Sequence, residues 1–587
     1  MLEGDSLRRV LYLDLTRKES RAEDRPDLFR QCIGGAGAAI RLLHEECPKG
    51  CDPLSPENPI VLAVGPATGL FPLASKTVAM FKSPLTGNLG ESHCGGRSAV
   101  AIRMAGYGAI VIRGAADRPT YVAIHGNQAH FRDASTLWGM GSAFTAARVI
   151  RENEPGAGLR TILRIGRAGE RGVSYACVTT ETYRHFGRLG LGAVFGAKNL
   201  KAVTVSGRGS VPITDKKVYR SLYDEIFRAA VDSSAMKKYH ELGTPQNVMP
   251  INRLEALPTR NLNQACFESA ESISGETLAE KYLGRRIACA HCPVACIHIA
   301  SLREPYENEP YFYKRSMISY DYELLYALGS MLGVADPEAV LKLLDSVEKL
   351  ALDAMSTGVV LAWATESMEK GVISEKETRG LHFRWGDCTV YTQAVERIVD
   401  PPNDFYRALA RGVEYAASVY GGADYALAFG GNEMPGYHTG PGAHLGFLIG
   451  ARHSHLDNAG YSLDQKIIGG DPMAPETLVD ALLEEEAWRQ ILASLAICFF
   501  ARGLYTPDVV SRALGITGTD FTEDDLRRIG GEIFREKYRF KFREGFSFAD
   551  LRIPGRILET RAPLGNIDED YMRTALAHAE RVIAKKT

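Results

Sequence analysis

The sequence feature that most constrains this chain is a group of three cysteines in the run Cys289-Ala-His-Cys292-Pro-Val-Ala-Cys296, spaced C-x2-C-x3-C. Thiolates this close together can converge on one polynuclear iron site only if the local backbone folds around it. Pro293 stops a regular helix at this point and favours such a loop. Iron–sulfur clusters usually take four thiolates, so a fourth ligand must come from elsewhere in the chain.

Two other readings of the cysteine spacing deserve comparison. Structural zinc sites typically combine two paired units of cysteine or histidine, and the sequence has no second cysteine pair of this kind, although His291 and His298 could complete a zinc set. The spacing of radical S-adenosylmethionine enzymes, C-x3-C-x2-C, is the reverse of the one found here. The pattern therefore favours an iron–sulfur cluster and leaves zinc open.

Composition and charge exclude several classes of protein. The 587 residues include 69 basic and 71 acidic side chains, a net charge of -2, so no overall field attracts nucleic acid or an anionic membrane. The sequence shows neither a secretory signal nor a run of 18 apolar residues that would predict a membrane span. The 11 cysteines of a chain without an export signal argue against a disulfide framework. We therefore expect a cytoplasmic, multidomain protein.

The pattern of apolar residues in the sequence changes near residue 212. Before that point, short β-type runs alternate with glycine-containing turns, as in Pro59–Val64, Ala109–Arg113, Thr120–Ile124 and Lys201–Val205. After it, apolar residues recur at spacings of three and four, which predicts helices such as Asp215–Tyr239, Pro337–Ala354 and Pro475–Phe500. The sequence predicts an α+β protein with a β-rich domain over 1–212 and mainly helical domains over 213–420 and 421–587. The second domain carries the three cysteines and the third a His/Gly-rich segment.

Several ordered motifs resemble those of the aldehyde:ferredoxin oxidoreductase family of tungsten, occasionally molybdenum, enzymes. They span some 500 residues of the chain, and they include Gly34–Gly37, Gly65–Gly69, Lys82–Gly87, Gly95–Gly96, Gly166–Glu170, Gly192–Ala202, Phe383–Gly386 and Leu495–Cys498. The resemblance implies a catalytic subunit in which two β-sheets form a base under two helical domains. It agrees with the change of pattern near residue 212.

The resemblance also implies cofactors, a reaction and partners. One tungsten or molybdenum ion is held by the dithiolenes of two pyranopterins, with magnesium bridging the pterin phosphates, and one [4Fe-4S] cluster lies beside a pterin. An aldehyde is oxidised to a carboxylic acid with water as the oxygen source. Electrons pass to ferredoxin or to a small ferredoxin-like iron–sulfur subunit, and a larger flavin-containing complex is a further possibility that the resemblance raises.

Residue roles follow from the resemblance position by position. Cys498 is implied as the fourth cluster ligand, although its apolar surroundings alone would predict a buried thiol. Glu323 and His455 match the acid–base pair, a role that suits groups titrating near neutral pH. The implied cofactor contacts are Lys76, His93, Cys94, Gly95, Gly96, Arg184, His185, Gly187, Arg188, Glu348, Asp353, Asp457 and Ile497.

The chain departs from the family pattern at four places. Lys76 stands where an Arg commonly links pterin and cluster, and a Lys lacks the planar fork that allows bidentate contacts. Of the two pterin-binding motifs of the form D-x-x-G-[LI]-[DC], the first begins with Glu348 and the second with Ala493. Asp457 stands where the family often has a Lys. These departures suggest a subfamily difference.

Two alternative functions stay open at the level of sequence. The chain could be a family member that reduces an aromatic acyl thioester or a carboxylic acid. It could also be a non-catalytic subunit that carries a cluster for electron transfer or as a scaffold.

Overall fold

Two β-sheets form the N-terminal part of the protein. The computed structural model describes residues 4–156, 158–181 and 183–586. The first sheet has the strand order β2-β1-β6-β3-β4-β5. Its strands are β1 (Arg9–Asp14), β2 (Glu19–Asp24), β3 (Ile60–Ala63), β4 (Thr77–Lys82), β5 (Leu89–Cys94) and β6 (Ala109–Arg113).

The second sheet has the order β11-β10-β9-β12-β7-β8. Its strands are β7 (Thr120–His125), β8 (Gln128–Asp133), β9 (Leu159–Arg164), β10 (Val178–Thr179), β11 (His185–Phe186) and β12 (Leu200–Gly207). Each sheet contains one parallel pair, β1–β6 and β7–β12, among the antiparallel ones described. Strands β3, β4 and β12 are buried along their whole length, as continuous apolar runs predict.

Six helices accompany the sheets in the described part of this region. They are α1 (Pro26–Cys32), α2 (Gly35–Glu46), α3 (Ser98–Met104), α4 (Ala143–Asn153), α5 (Arg167–Glu170) and α6 (Leu191–Ala197). Helix α3 packs against β9 and β12, while α2 packs against β3 and β4. The last strand of the second sheet ends at Gly207 and the next helix begins at Lys216, so the change of pattern seen in the sequence coincides with the end of the sheets.

The rest of the chain is mainly helical, which confirms the predicted α+β class. Its helices are α7 (Lys216–Asp232), α8 (Ser234–Leu242), α9 (Val248–Arg253), α10 (Gly275–Lys281), α11 (Tyr322–Leu328), α12 (Pro337–Leu350), α13 (Ala354–Glu369), α14 (Cys388–Val399), α15 (Asp404–Leu409), α16 (Val413–Tyr420), α17 (Pro441–Ile449), α18 (His455–Asn458), α19 (Gly460–Ile467), α20 (Pro475–Ser494), α21 (Pro507–Ile516), α22 (Glu523–Arg543), α23 (Arg556–Glu559) and α24 (Glu569–Lys586). The division of this region at residue 420 stays a prediction.

Two long predicted helices are interrupted. The stretch 215–239 divides into α7 and α8, because a new helix begins directly after Ser233. The hydroxyl oxygen of Ser233 caps this helix by accepting a hydrogen bond from Met236 N. The stretch 337–354 ends early, because Ala351 adopts a left-handed conformation (φ 59°) and Asp353 caps α13. Within the described residues, no single helix has both the length and the apolar character needed to cross a membrane. Only 322–332 and 337–350 have both when taken together, and they are bent by 115°.

Strands also occur inside the helical region. A three-stranded antiparallel sheet is formed by β13 (Leu283–Ile287), β14 (Ile297–Tyr306) and β15 (Glu309–Tyr320), and a short hairpin by β16 (Ala428–Phe429) and β17 (Asn432–Glu433). The cysteine-rich run lies between β13 and β14. A sheet strand therefore leads into the cysteine loop and another leads out of it.

The sheet region and helix α20 meet at two glycines. A Cβ on Gly35 would lie 2.3 Å from Ala493 O, and one on Gly65 would lie 2.4 Å from the carbonyl carbon of Leu495, so neither site admits a side chain. Gly35 also has a φ of 38°. This close approach seats the C-terminal end of α20 on the N-terminal region, just before Cys498.

Candidate active site and cluster site

One cavity of about 530 Å³ lies where the sheets meet the helices. Its wall includes residues from the N-terminal region, from the cysteine loop between β13 and β14, from α11 and from the segment around α18. Cys289, Cys292, Cys296 and Cys498 all line it. The structure thus brings the distant cysteine to the same cavity as the three clustered ones.

The cysteine loop and the Cys498 segment are held by the same short stretch of backbone. Leu73 N donates to His291 O at 3.0 Å, and Cys498 N donates to Leu73 O at 2.8 Å. Within the loop, His291 and Ala295 adopt left-handed conformations, with φ of 57° and 52°. These turns wrap the loop, so that its three cysteines face one space.

The four thiols line one cavity but are not gathered around a single ion. Among the described residues, no group of three or more His, Cys, Asp or Glu side chains is placed to hold a single metal ion. A cluster instead needs thiolates spread around a larger inorganic core. Burial raises the pKa of the Cys296 thiol to about 11 and that of Cys292 further, so these thiols keep their protons unless a metal displaces them.

Two cationic side chains lie beside the thiols. A Cβ on Gly95 would lie 3.0 Å from Cys289 Sγ and 3.4 Å from Lys76 Nζ, which places both atoms against the same glycine. Burial opposes the charge of Lys76, but the nearby sulfur atoms of Cys498 and Cys289 favour it, and the net effect is a raised pKa of Lys76. Arg184 responds in the same way to Cys296 and Cys289. A cluster with four thiolates carries negative charge, and these two cations would compensate it.

Glu323 and His455 meet at the cavity wall. Glu323 belongs to the first turn of α11 and His455 is the first residue of α18; His455 Nε2 lies 3.4 Å from Glu323 Oε1. Gly436 N donates to the other carboxylate oxygen at 3.1 Å. Burial raises the pKa of Glu323 to about 8 and lowers that of His455 well below 6.5. At neutral pH the pair is therefore a protonated carboxyl beside a neutral imidazole.

Several arginines also line the cavity. Arg188 Nε pairs with Asp353 Oδ2 at 3.0 Å and its Nη2 donates to Glu433 O at 2.8 Å, whereas its buried Nη1 has no hydrogen-bond partner among the described residues. Arg489 donates through Nη1 to Leu456 O at 2.7 Å, and its Nη2 is likewise without a partner there. Buried, unsatisfied guanidinium groups facing a cavity suit an anionic ligand.

Asp457 stands where the family often has a Lys, and it lies behind the side chain of Arg452 as seen from the cavity. Its carboxylate pairs with Arg452 Nε, accepts from Arg452 N at 3.1 Å and from Ser454 N at 3.0 Å, and completes the capping box of α18. Arg452 lines the cavity, whereas Asp457 does not. The charge that faces the cavity at this place is therefore positive, although the residue at the motif position is acidic.

Aromatic side chains form the remaining apolar wall. Tyr437 and Tyr461 stack with ring centroids 4.2 Å apart, and Tyr437 lies 5.5 Å from His455. Tyr239 and Phe500 stack at 4.5 Å beside Cys498's segment. All of these aromatic residues line the cavity. The space next to the acid–base pair is thus shaped for an apolar or aromatic group.

Most of the predicted site residues meet at this cavity. Besides the four cysteines, Glu323, His455 and Lys76, the lining includes His93, Gly95, Arg184, His185, Gly187, Arg188, Glu348 and Asp353. Two of these histidines pair with carboxylates of the same cavity: His93 Nε2 lies 2.7 Å from Glu91 Oε1, and His185 Nε2 lies 2.8 Å from Glu348 Oε2. Four predicted contacts lie behind the wall instead: Cys94, Gly96, Asp457 and Ile497. Their role as cofactor contacts stays a prediction.

Sequence reasoning missed Arg452, Arg489 and the aromatic wall. No local motif marks these residues, since they come from separate helices and turns and converge only in the fold. Arg452 does precede His455, a member of the predicted acid–base pair, by three positions, and a search for basic residues flanking that histidine would have found it.

Comparison with known proteins gives consistent results. The model of the aldehyde ferredoxin oxidoreductase N-terminal domain matches residues 10–207, and that of domains 2 and 3 matches residues 221–580. Tungsten-containing aldehyde ferredoxin oxidoreductases of Pyrococcus furiosus and Thermococcus kodakarensis are each 32% identical over 574 residues, covering 95% of this chain and 92% of theirs.

Two further relatives differ in their named activity. The WOR-like subunit of an aliphatic sulfonate oxidoreductase of Pyrococcus furiosus is 31% identical over 430 residues, which cover 70% of this chain and 66% of that one. A solved chain of the active-site complex BamBC of benzoyl coenzyme A reductase, in complex with 1,5-dienoyl-CoA, superposes with a TM-score of 0.81. At 22% identity, covering 98% of this chain and 94% of that chain, this match shows a shared fold.

Proposed function

The chain belongs to the aldehyde ferredoxin oxidoreductase family and is an oxidoreductase, and from this we propose that it is a tungsten-dependent enzyme that oxidises aldehydes to carboxylic acids. Water supplies the oxygen, and electrons leave through a [4Fe-4S] cluster. The observation that carries the proposal is that a single cavity joins four thiols, several cationic side chains and the Glu323–His455 pair. Membership of an enzyme family weighs against a non-catalytic subunit.

The residues present fit the implied cofactors. Cys289, Cys292, Cys296 and Cys498 would hold the cluster. Cationic residues of the wall, above all Arg184 and Arg188, would bind the phosphates of a tungsten bis-pyranopterin, with magnesium bridging those phosphates. When bound, the metal supplies two-electron redox chemistry at the substrate carbon, and the cluster supplies a one-electron path outward.

The chain's own residues manage protons in this reaction. Conversion of an aldehyde and water to a carboxylic acid releases two electrons and two protons. The aromatic wall around Tyr437 excludes bulk water from the apolar part of the substrate and orients its carbonyl carbon toward the pair. Glu323 Oε1 lies 3.4 Å from His455 Nε2 and has no hydrogen-bond partner among the described residues, so this oxygen is available to substrate. The Glu323 carboxylate is the form that can accept a proton from the hydrated carbonyl group.

Electrons must then reach an acceptor outside the chain. Each aldehyde molecule oxidised would reduce two one-electron carriers, either soluble ferredoxin or a small iron–sulfur partner subunit. Such a subunit could in turn belong to a larger flavin-containing complex. The relatives' name includes ferredoxin, which supports a carrier of this kind.

Elemental analysis combined with a dye-linked assay tests the proposal. Protein purified from its native host grown with tungstate and molybdate is expected to contain about one W or Mo and four Fe per chain. It is also expected to reduce a viologen dye when an aldehyde is added. Absence of both W and Mo from such protein, or metal-loaded protein that is inert to aliphatic and aromatic aldehydes alike, would refute the proposal.

The aromatic wall favours one second candidate, reduction of an aromatic acyl thioester or carboxylic acid. The stacked rings of Tyr437 and Tyr461 lie next to the acid–base pair. They could hold an aromatic ring as readily as the apolar part of an aldehyde. The two candidates separate in one assay. Reduced dye oxidised by benzoyl-CoA, with no dye reduction by benzaldehyde, would favour the thioester reaction.

A further inference from the structure

An unusually exposed group of aromatic residues lies at the tip of the β14–β15 hairpin. Tyr311 exposes 94% of its surface, Phe312 65%, Tyr313 53% and Tyr306 52%. These are four of the six Phe and Tyr residues that are exposed in the described part of the chain. Aromatic residues are enriched in protein interfaces, and a concentrated exposed patch of them marks an interaction site more often than scattered apolar residues do.

This hairpin is continuous with the cysteine loop. Cys296 is followed directly by Ile297, the first residue of β14, and β14 pairs with β15 from His298↔Tyr320 outward to the closing pair Tyr306↔Glu309. The strands are buried near the loop, up to Leu302 and Ser316, and largely exposed beyond these residues. The hairpin therefore begins beside the cluster site and projects away from the body of the protein.

The length of the hairpin matches the size of a small protein. From Ile297 to Tyr306 the strand extends about 30 Å, at about 3.3 Å per residue. A folded domain of about 100 residues has a radius of gyration of about 13 Å, so it is of similar breadth. A small partner held at the aromatic tip could therefore also contact the surface near the cysteine loop.

The surface between tip and loop is mainly basic. Arg285 and Arg286 are exposed on β13, the strand that leads into the loop, and Arg303, Lys314 and Arg315 are exposed on the hairpin. Of the hairpin acids, Glu304 lies 3.3 Å from Lys342, whereas Glu307 and Glu309 lie near the turn, away from the loop. A basic surface beside a redox centre favours a partner of negative charge and accelerates its approach.

We propose that the β14–β15 hairpin is a docking arm for a small, acidic iron–sulfur protein that takes electrons from the cluster. The aromatic tip contacts one side of the partner. The basic residues of strand β13 orient the acidic face of the partner toward the cysteine loop. This inference rests on the proposed function, because it requires a cluster that delivers electrons. It adds to that function the surface and the chemical class of the partner.

A double variant at the tip, Tyr311→Ser with Phe312→Ser, tests the docking arm in the metal-loaded protein. The probe is a purified ferredoxin with two [4Fe-4S] clusters and a net negative charge. The variant is expected to raise the KM for this ferredoxin at least tenfold and to leave the rate with a viologen dye within twofold of wild type, since a small dye needs no docking arm. Phe227→Ser, at an exposed aromatic residue of α7, is the matched control and should change neither value.

Charge and assembly provide a second arm of the test. Arg285→Glu is expected to weaken ferredoxin binding about tenfold by calorimetry, and added salt should weaken the wild type in the same way. An unchanged KM and affinity in the tip variant would overturn the inference. So would a tip variant whose native mass falls to that of one chain while its ferredoxin kinetics stay intact, because the tip would then bind a second copy of the chain.

The outcomes for docking and for the reaction are separable. If the wild type does not oxidise aldehydes with the dye, the proposed function fails, and the calorimetric comparison of the tip variant with wild type still decides the docking arm. If the dye reaction works and the tip variant binds ferredoxin normally, the function stands and the docking arm is wrong.

Discussion

The two ends of the cavity control charge in opposite ways. At the cysteine end, Lys76 lies beside Cys498 and Cys289 and Arg184 lies beside Cys296 and Cys289, so that the two cations would balance the negative charge of a bound cluster. At the Glu323–His455 end burial dominates, and both groups are driven to their neutral forms. One end is thus prepared to hold a permanently charged group, and the other to exchange a single proton.

This contrast predicts how each end responds to mutation. The function of a site that is based on balanced charges should depend on the number of ligands and on the net charge around them. A site based on burial should depend on the identity of one carboxyl group and on pH. The variants below are designed to separate these two kinds of dependence.

The largest effect is expected from loss of a cluster ligand. Cys498→Ala removes one of four thiolates, so we expect the cluster to be lost or degraded, iron to fall well below four per chain, and electron transfer to ferredoxin to drop by more than 1,000-fold, an estimate of about 4 kcal/mol or more. Iron analysis and electron paramagnetic resonance measure this. Cys266→Ala, at an exposed cysteine outside the cavity, is the control. Four irons retained in the Cys498 variant would show that Cys498 is not a ligand.

Glu323→Gln tests the proton-exchanging end. The amide keeps the shape of the carboxyl but cannot accept a proton, so we expect kcat to fall about 10²–10⁴-fold while tungsten and iron contents stay unchanged. Glu348→Gln alters a carboxylate of the same cavity that pairs with His185 rather than His455, and a much smaller loss of kcat is expected there. Comparable losses in the two variants would mean that the effect comes from the cavity's charge and not from the acid–base pair.

The pH profile should reveal the buried carboxyl group directly. Burial holds the pKa of Glu323 at about 8, so the reactive carboxylate is scarce below that value. For aldehyde oxidation kcat should therefore rise roughly tenfold per pH unit below about pH 8 and level off above it. Glu323→Gln should abolish this rise. A wild-type profile that is flat, or that falls between pH 6 and 9, would contradict the assignment of Glu323 as the base.

The sequence predicts the two ends unequally well, and for physical reasons. Three of the four cysteines share one loop, so their spacing alone favours a cluster, although it leaves zinc open. Cys498 lies about 200 residues away, and only the resemblance linked it to them; the structure brings it to the same cavity through Leu73. The α+β class also followed from sequence, because hydrophobic periodicity is local. The three-stranded sheet β13–β15 was missed within a region predicted to be helical.

The remaining parts of the site depend on convergence in space. Arg489, Tyr437 and Tyr461 come from separate turns and helices, and no local motif in a single sequence marks their convergence. The replacement at Asp457 illustrates the limit. By sequence it changes the sign of a cofactor contact, but in the structure Arg452 restores a positive charge at the cavity.

The smallest effect in this series, and the most specific one, concerns Lys76. Its Nζ faces the same glycine as Cys289 Sγ, so Lys76→Met removes a positive charge from the immediate surroundings of the cluster. We expect the reduction potential to become more negative by on the order of 50 mV, since reduction adds negative charge that Lys76 would otherwise stabilise. Potentiometric titration measures the shift. Lys76→Arg keeps the charge and should restore a potential close to wild type, and a potential unaffected in the Met variant would mean that the balance of charges at the cysteine end does not tune the cluster.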